Sequence, residues 1–246
     1  MLKMMKIRNG FTLIEVLIAL VVGALMMVGV YSVVTLTQKS SAGMDRKIIA
    51  QKDVRSGLDL MALEIRMASY NSSLDNTVWR SAADCTSAAA NPAYKGIQAA
   101  TPFSITIEMD ANDNSVINGT ASNPSEIITY TYDAANLRVT RSTNCGAAQP
   151  FLGDTAASGR PRIIRIVNDL NSNNAYNDGV DVPVFRYFDF NNNLIAPASL
   201  PAQIPLINTI EITLVADTED IDPATHARRR IIYSTRVIPR NHGANP

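Results

Sequence analysis

One carboxylate stands alone in a long apolar run. Residues 11–36 carry a single charged side chain, Glu15, and no Lys, Arg or His that could neutralise it. Placing a carboxylate inside a transmembrane segment costs on the order of 2.5–3.5 kcal/mol, so such a group usually answers to a partner. That partner must be another chain, a chain terminus or a proton. Cleavage of the backbone after Gly10 would create a free amine on Phe11, one helical turn before Glu15. A neighbouring copy could then bring its own Glu15 to that positive charge. The chemistry suggested is proteolytic processing followed by ion pairing between chains.

Other residue types capable of chemistry are sparse or scattered. Cys85 and Cys145 lie too far apart for a zinc knuckle. An even pair in an exported chain suggests a Cys85–Cys145 disulfide, which would stabilise the fold by roughly 2–4 kcal/mol. Two buried free thiols are the alternative. Three segments alternate oxygen-bearing side chains: Asp110/Asn112/Asn114, Asp169/Asn171/Asn173 and Asp189/Asn191/Asn193. Such spacing can wrap Ca²⁺, but none of the three matches an EF-hand loop, since the twelfth position is Ala121 or Val180 in the first two and the turn Gly is missing. Asx turns between strands explain the same pattern. The best calcium candidate is 169–181, where Asn177, Asp178 and Asp181 add further oxygens to Asp169, Asn171 and Asn173.

Catalysis finds little support. His226 and His242, the only histidines, stand near no obvious nucleophile or metal cluster. No G-x-x-x-x-G-K-[ST] phosphate loop is present, which excludes an assembly ATPase. The chain is expected to be no enzyme and to need no cofactor beyond the calcium considered above. Lys plus Arg and Asp plus Glu each number 22, so no global field favours nucleic acid or anionic lipid. Arg228-Arg229-Arg230 fits a solvated or edge-protecting face, and three arginines neutralise few phosphates, so nucleic acid is not an expected partner.

The elements that must position Glu15 follow from periodicity. About 25 helical residues reach roughly 37 Å, enough to cross a hydrocarbon core about 30 Å thick. Lys3, Lys6 and Arg8 precede the span without an acid among them, which keeps that end in the cytoplasm. The run is too long for an ordinary secretory signal, and Gly10 lies before it instead of after it. Beyond Leu36 an amphipathic helix is expected to about Ser69, with Met44, Ile48, Val54, Leu58, Met61 and Ile65 facing a partner layer. Gly57 weakens this stretch by up to about 1 kcal/mol relative to Ala. Residues 71–100 show no period and read as loop. Strands are expected at 103–109, 126–132, 137–141, 162–167, 183–190, 206–215 and 230–238, with a hairpin at Asp133-Ala134-Ala135-Asn136. In the first of these, Phe103, Ile105, Ile107 and Met109 face one side and Ser104, Thr106 and Glu108 the other. One long helix followed by gathered strands predicts an α+β fold with an antiparallel sheet.

Lys6–Glu15 reads KIRNGFTLIE, continued by VLIAL. This resembles the prepilin cleavage and methylation motif of type IV pilins and type II secretion pseudopilins. The resemblance implies a leader peptide at 1–10, a cut by prepilin peptidase between Gly10 and Phe11, methylation of the Phe11 amine, and a docking role for Glu15. It further implies a transmembrane and filament-core helix at 11–36, an amphipathic continuation at 37–70 and a β-rich head at 71–246, in the periplasm before assembly and at the cell surface after it. The partners implied are other pilin or pseudopilin subunits, the peptidase, the inner membrane and its assembly platform. In the head, ITYTYDAANLRVTRST (Ile128–Thr143), FRYFDFNNN (Phe185–Asn193) and VIPRN (Val237–Asn241) loosely resemble minor pilins of the PilW type and pseudopilin J. Major pilins often have Pro near the twenty-second mature residue, where this chain has Ser32, and most are smaller. A minor pilin is the expected function. A minor pseudopilin of type II secretion, or a membrane-anchored adhesin or binding module, are the alternatives.

Overall fold

A run of apolar residues without proline, opened by Thr12, makes one helix, α1, spanning Leu13–Arg66. Its 54 residues extend about 80 Å. The computed structural model describes residues 11–81, 91–118, 125–153, 163–171, 181–222 and 225–242. The helix has two halves with opposite surroundings. Every large apolar side chain from Phe11 to Leu36 is exposed, whereas Ala50, Val54, Leu58, Met61, Ala62 and Ile65 are buried against the head.

The buried stripe differs from the expected one at its start. Met44 and Ile48 remain 63% and 49% exposed. At about 100° per residue they lie roughly 70° and 110° round the helix from the middle of the Val54, Leu58, Met61 and Ile65 stripe. On the covered azimuth the chain instead has Gly43, whose α-carbon faces the Asp222 carboxylate, and Lys47. Gly57 also has a specific reason. A β-carbon there would lie 2.5–2.7 Å from the side chain of Leu152, so its absence lets the helix close onto the sheet. The helix stops three residues before the expected Ser69, because Ser69 turns left-handed (φ 66°) and its N–H donates to Glu108 O at 2.9 Å.

The strands form two antiparallel sheets. The first runs in chain order: β1 (Ile97–Ala100), β2 (Ser104–Glu108), β3 (Ile127–Asp133), β4 (Arg138–Thr143) and β5 (Gln149–Leu152). The second is built on β8 (Thr209–Thr218), which pairs with β9 (Arg230–Val237) along one edge and with β6 (Ile164–Ile166) and β7 (Phe185–Phe188) along the other. A short helix, α2 (Leu200–Gln203), follows a 3₁₀ turn at Pro197–Ser199. The α+β class with an antiparallel head holds. The expected hairpin is present, its turn fixed by Asp133, whose carboxylate accepts from Asn136 N–H (3.1 Å) and Arg138 Nε (2.9 Å).

Two strands depart from the sequence reading. β1 lies within the stretch expected to be loop, and β5 contains Pro150, which an edge strand tolerates. The second face of β2 is also covered. Thr106 and Glu108 are buried as fully as Ile105 and Ile107, because the segment around Trp79 and Arg80 folds over them. That segment makes its own small core from Val78, Trp79, Ile117 and Ile127. The main core joins the helix stripe to Ile105, Ile107, Tyr130, Ile210 and Ile212.

Candidate functional site

The start of α1 is held by a reciprocal cap. Thr12 Oγ1 accepts from Glu15 N–H (3.3 Å), while Glu15 Oε2 accepts from Thr12 N–H (3.4 Å) and Thr12 Oγ1 (3.3 Å). A helix beginning in an apolar medium has N–H groups that no water can satisfy, so the Thr-x-x-Glu arrangement answers a definite need. The carboxylate also faces the positive end of the helix. Phe11 is 85% exposed immediately before the cap. Gly10 lies outside the described residues. Thr12 joins the site through the structure, although Thr followed three positions later by Glu before an apolar run is a legible capping signal.

The apolar half hides its few hydroxyls. Ser32 Oγ donates to Val28 O (2.8 Å), Thr35 Oγ1 to Tyr31 O (3.0 Å), and Thr37 Oγ1 to Val33 O (2.9 Å). These three hydroxyls are thus satisfied within the helix, as a hydrocarbon environment requires. Glu15 remains the only charge in this exposed surface.

The second half is locked to the head by an ion pair. Arg141 on β4 holds Glu64 in a bidentate fork (Nη2–Oε1 2.7 Å, Nε–Oε2 3.1 Å), and Tyr130 Oη donates to the same carboxylate. Burial and the carboxylate push the Tyr130 hydroxyl well above its usual titration range. Behind this clamp, Glu108 is fully buried and its carboxyl is raised to about 8 by desolvation, which the Arg80 N–H at 3.0 Å and the Arg80 charge offset only in part. His242 fastens the other end of the chain, with Nε2 against Ile204 O (2.8 Å) and Nδ1 against Ser69 Oγ (3.1 Å). Burial pulls its pKa below the ordinary value.

The remaining candidates are placed as follows. Cys145 is exposed with φ 55° and is not a free thiol, while Cys85 lies outside the described residues. Asp169 is buried, Asn171 is exposed, and Asp181 Oδ1 accepts from Leu170 N–H (3.0 Å), which draws Asp169 and Asp181 to one turn. Asn173, Asn177 and Asp178 lie outside the described residues. Among the described residues no three His, Cys, Asp or Glu side chains gather in a metal-holding group. The other two Asp/Asn repeats form Asx turns: Asp110 accepts from Asn114 and Ser115 N–H, and Asp189 accepts from Asn191 and Asn193 N–H. Those bonds hold the Asp189 carboxyl below its usual range. The three arginines are engaged with their own hairpin, Arg228 on Glu219 O, Arg229 on Asp222 and Arg230 on Asp217.

Residues 5–31 match the family model described as the prokaryotic N-terminal methylation motif. Comparison with curated proteins and with solved structures gave no significant match. The matched segment contains the Thr12–Glu15 cap and most of the exposed apolar helix, which by length and composition can cross a membrane. A prepilin motif on such a helix, backed by an antiparallel head, supports a subunit of the type IV pilin or pseudopilin type, membrane-anchored and processed by prepilin peptidase for assembly with other pilin subunits.

Proposed function

We propose that this chain is a minor type IV pilin, a structural subunit that joins or initiates a pilus. The observation that carries the proposal is the divided helix: a stripe from Ala50 to Ile65 is buried against its own head, whereas from Phe11 to Leu36 every large apolar side chain is exposed and Glu15 is the only charge. Residues 1–10 act as the leader peptide, and the peptidase cuts after Gly10 and methylates the Phe11 amine. The helix at 11–36 then holds the subunit in the inner membrane, with residues 37–70 and the head at 71–246 in the periplasm, until the assembly platform moves it into the filament. The cap bonds of Glu15 are long, 3.3–3.4 Å, so its carboxylate leaves the cap readily for the amine of a neighbouring subunit. The unbroken helix at Ser32, where the hydroxyl bonds back to Val28 O, suits a minor role more than a shaft subunit whose helix loosens there.

Expression with and without a prepilin peptidase, followed by intact mass and N-terminal sequencing, tests the first step. A chain beginning at N-methylated Phe11 is expected. An uncut Met1 start beside active peptidase refutes the proposal and favours a membrane-anchored binding module. Glu15→Gln should be cut normally yet fail to enter filaments. Loss of protein secretion with pili intact on deletion would reassign the chain to the type II secretion pseudopilins, the resemblance to pseudopilin J included. Two finer assignments accompany this reading: a Cys85–Cys145 bridge, read from the mass of the alkylated unreduced chain, and calcium at 169–181, which calorimetry without heat at millimolar Ca²⁺ would refute.

A further inference from the structure

The turn that follows β2 carries the repeat Asp110/Asn112/Asn114. Compared with an EF-hand loop it lacks the glycine at the sixth position and the acid at the twelfth. The fold supplies both functions by other means. Ser115, at the sixth position, takes the left-handed backbone that glycine would take (φ 58°). Its N–H and that of Asn114 donate to the two carboxylate oxygens of Asp110, at 2.9 and 3.1 Å, which curls the chain round that side chain. Asn112 Oδ1 accepts from Asn114 N–H (3.1 Å) and Asn114 Oδ1 from Val116 N–H (2.8 Å), so the oxygens of the first, third and fifth positions follow one tight turn.

The missing acid comes from the residue just before β3. Met109 N–H donates to Glu126 O (2.9 Å), and Asn144 Oδ1 accepts from the N–H groups of Glu126 and Ile127, which pins Glu126 beside the start of the turn. Its carboxylate points into that turn: Oε2 accepts from Asn118 N–H (3.3 Å), and the Ala111 N–H and the Asp110 charge lie close by. Asp110 and Glu126 are both fully buried, and Glu126 Oε1 has no hydrogen-bond partner among the described residues. Burial and then the Asp110 charge raise the Glu126 carboxyl above its usual range. Two carboxylates closed in together are costly unless a proton or a cation joins them. Calcium holds its oxygens at about 2.3–2.6 Å, so the hole it fills is too small for water and a ligand oxygen facing it has no accessible surface, as Oε1 has none. Ala111 to Asn114 are exposed, which gives an ion a way in from solvent. Asp113 is turned to Tyr70 Oη (2.9 Å) and adds charge near the turn without joining its oxygens.

From the buried, unpartnered Oε1 of Glu126 aimed into the Asp110 turn, we infer a calcium site with Asp110, Asn112 and Asn114 on one side and Glu126 on the other. Val116, at the seventh position, would add its carbonyl, as that position does in an EF-hand. Carboxylates and neutral amide oxygens, without His or Cys, suit a hard cation. The site uses none of the residues at 169–181, and it lies in the head, so it does not depend on how the helix is processed or assembled.

Trp79, the sole tryptophan, packs with Ile117 and Ile127, which neighbour Val116 and Glu126 in the chain, so its emission reports on this site. The full chain in detergent, stripped with EDTA, is titrated with CaCl₂ and with MgCl₂ at constant ionic strength, followed by fluorescence and by calorimetry. Calcium should shift the Trp79 emission saturably with a Kd of about 0.1–1 mM, and magnesium, which demands a near-ideal octahedron, should bind at least about tenfold more weakly. Glu126→Gln should weaken calcium at least about tenfold, and so should Asp110→Asn, which keeps one acceptor oxygen for the turn. No saturable Trp79 change up to about 10 mM calcium, or equal responses to calcium and magnesium, overturns the inference and leaves Glu126 as a protonated carboxyl that merely fastens the turn. Calcium heat without a Trp79 response, unchanged in Glu126→Gln, also overturns it and places the ion elsewhere, with 169–181 the first candidate. Should either variant fail to fold, the two titrations of the natural chain decide alone.

Discussion

Substituting Glu108 by Gln should make the head more stable at neutral pH, against the usual expectation for a buried polar residue with partners. Glu108 is fully buried and titrates at about 8 in the fold, against 4.5 in an exposed chain, chiefly through desolvation. Between those values the folded state binds a proton that the unfolded state releases. Stability from this group is therefore fully present below about pH 4.5 and is lost as pH rises through about 8. Each pH unit inside the window costs about 1.4 kcal/mol, so from about pH 5.5 to 7.5 the natural chain should lose about 3 kcal/mol. For a head of this size that is roughly 6–12 °C in Tm. Gln cannot ionise, yet its carbonyl can still accept the Arg80 N–H that now lies 3.0 Å from Oε2. The assay is urea or thermal unfolding of both proteins in detergent, across pH 5–8. The quantity of interest is their difference, which cancels the contributions of Glu126 and His242. The natural chain should fall away from E108Q as pH rises. Parallel curves would refute the reasoning and mean that Glu108 is ionised in the fold, compensated by Arg80.

Arg141→Met should destabilise the head by about 2 kcal/mol in urea unfolding, since it leaves Glu64, whose side chain is 15% exposed, without its fork. Pairing it with Glu64→Leu should restore part of that loss; no recovery in the double variant would mean that the arginine acts through packing alone. Gly57→Leu should cost about 1–3 kcal/mol, because even a β-carbon meets Leu152 at 2.5–2.7 Å. An unchanged urea midpoint would show that the helix and β5 are less closely packed than described.

The sequence was most legible where a local pattern admitted one physical answer. An apolar run of 26 residues with one acid allows little but a membrane-length helix, and Asp133–Asn136 between two alternating stretches allows little but a hairpin. Legibility failed where tertiary cover decided. Ile97–Ala100 is short and alanine-rich, and only its pairing with β2 makes it a strand. Pro150 argues against a strand everywhere except at an edge, and edges are set by topology. Alternation put Glu108 on the polar face with Ser104 and Thr106, and it cannot see the Trp79 segment folding over that face.

The divided helix also bears on what controls the proposed assembly. Fully burying each large apolar side chain of residues 11–36 is worth about 1.5–3 kcal/mol, which sums to tens of kcal/mol over the exposed half. That total anchors the chain, but it discriminates poorly between lipid and a bundle of like helices, because lipid tails are as apolar as the side chains themselves. Ser32, Thr35 and Thr37 are satisfied within the helix and gain nothing by moving from one environment to the other. Glu15, the one charge of this half, differs. In the membrane it carries an insertion cost on the order of 2.5–3.5 kcal/mol, eased only by long bonds to Thr12; beside a neighbour's Phe11 amine it becomes half of an ion pair. A difference of that size shifts an equilibrium by about a hundredfold or more. In the proposed filament a single carboxylate therefore sets the direction of transfer, and the apolar surface around it supplies adhesion without preference.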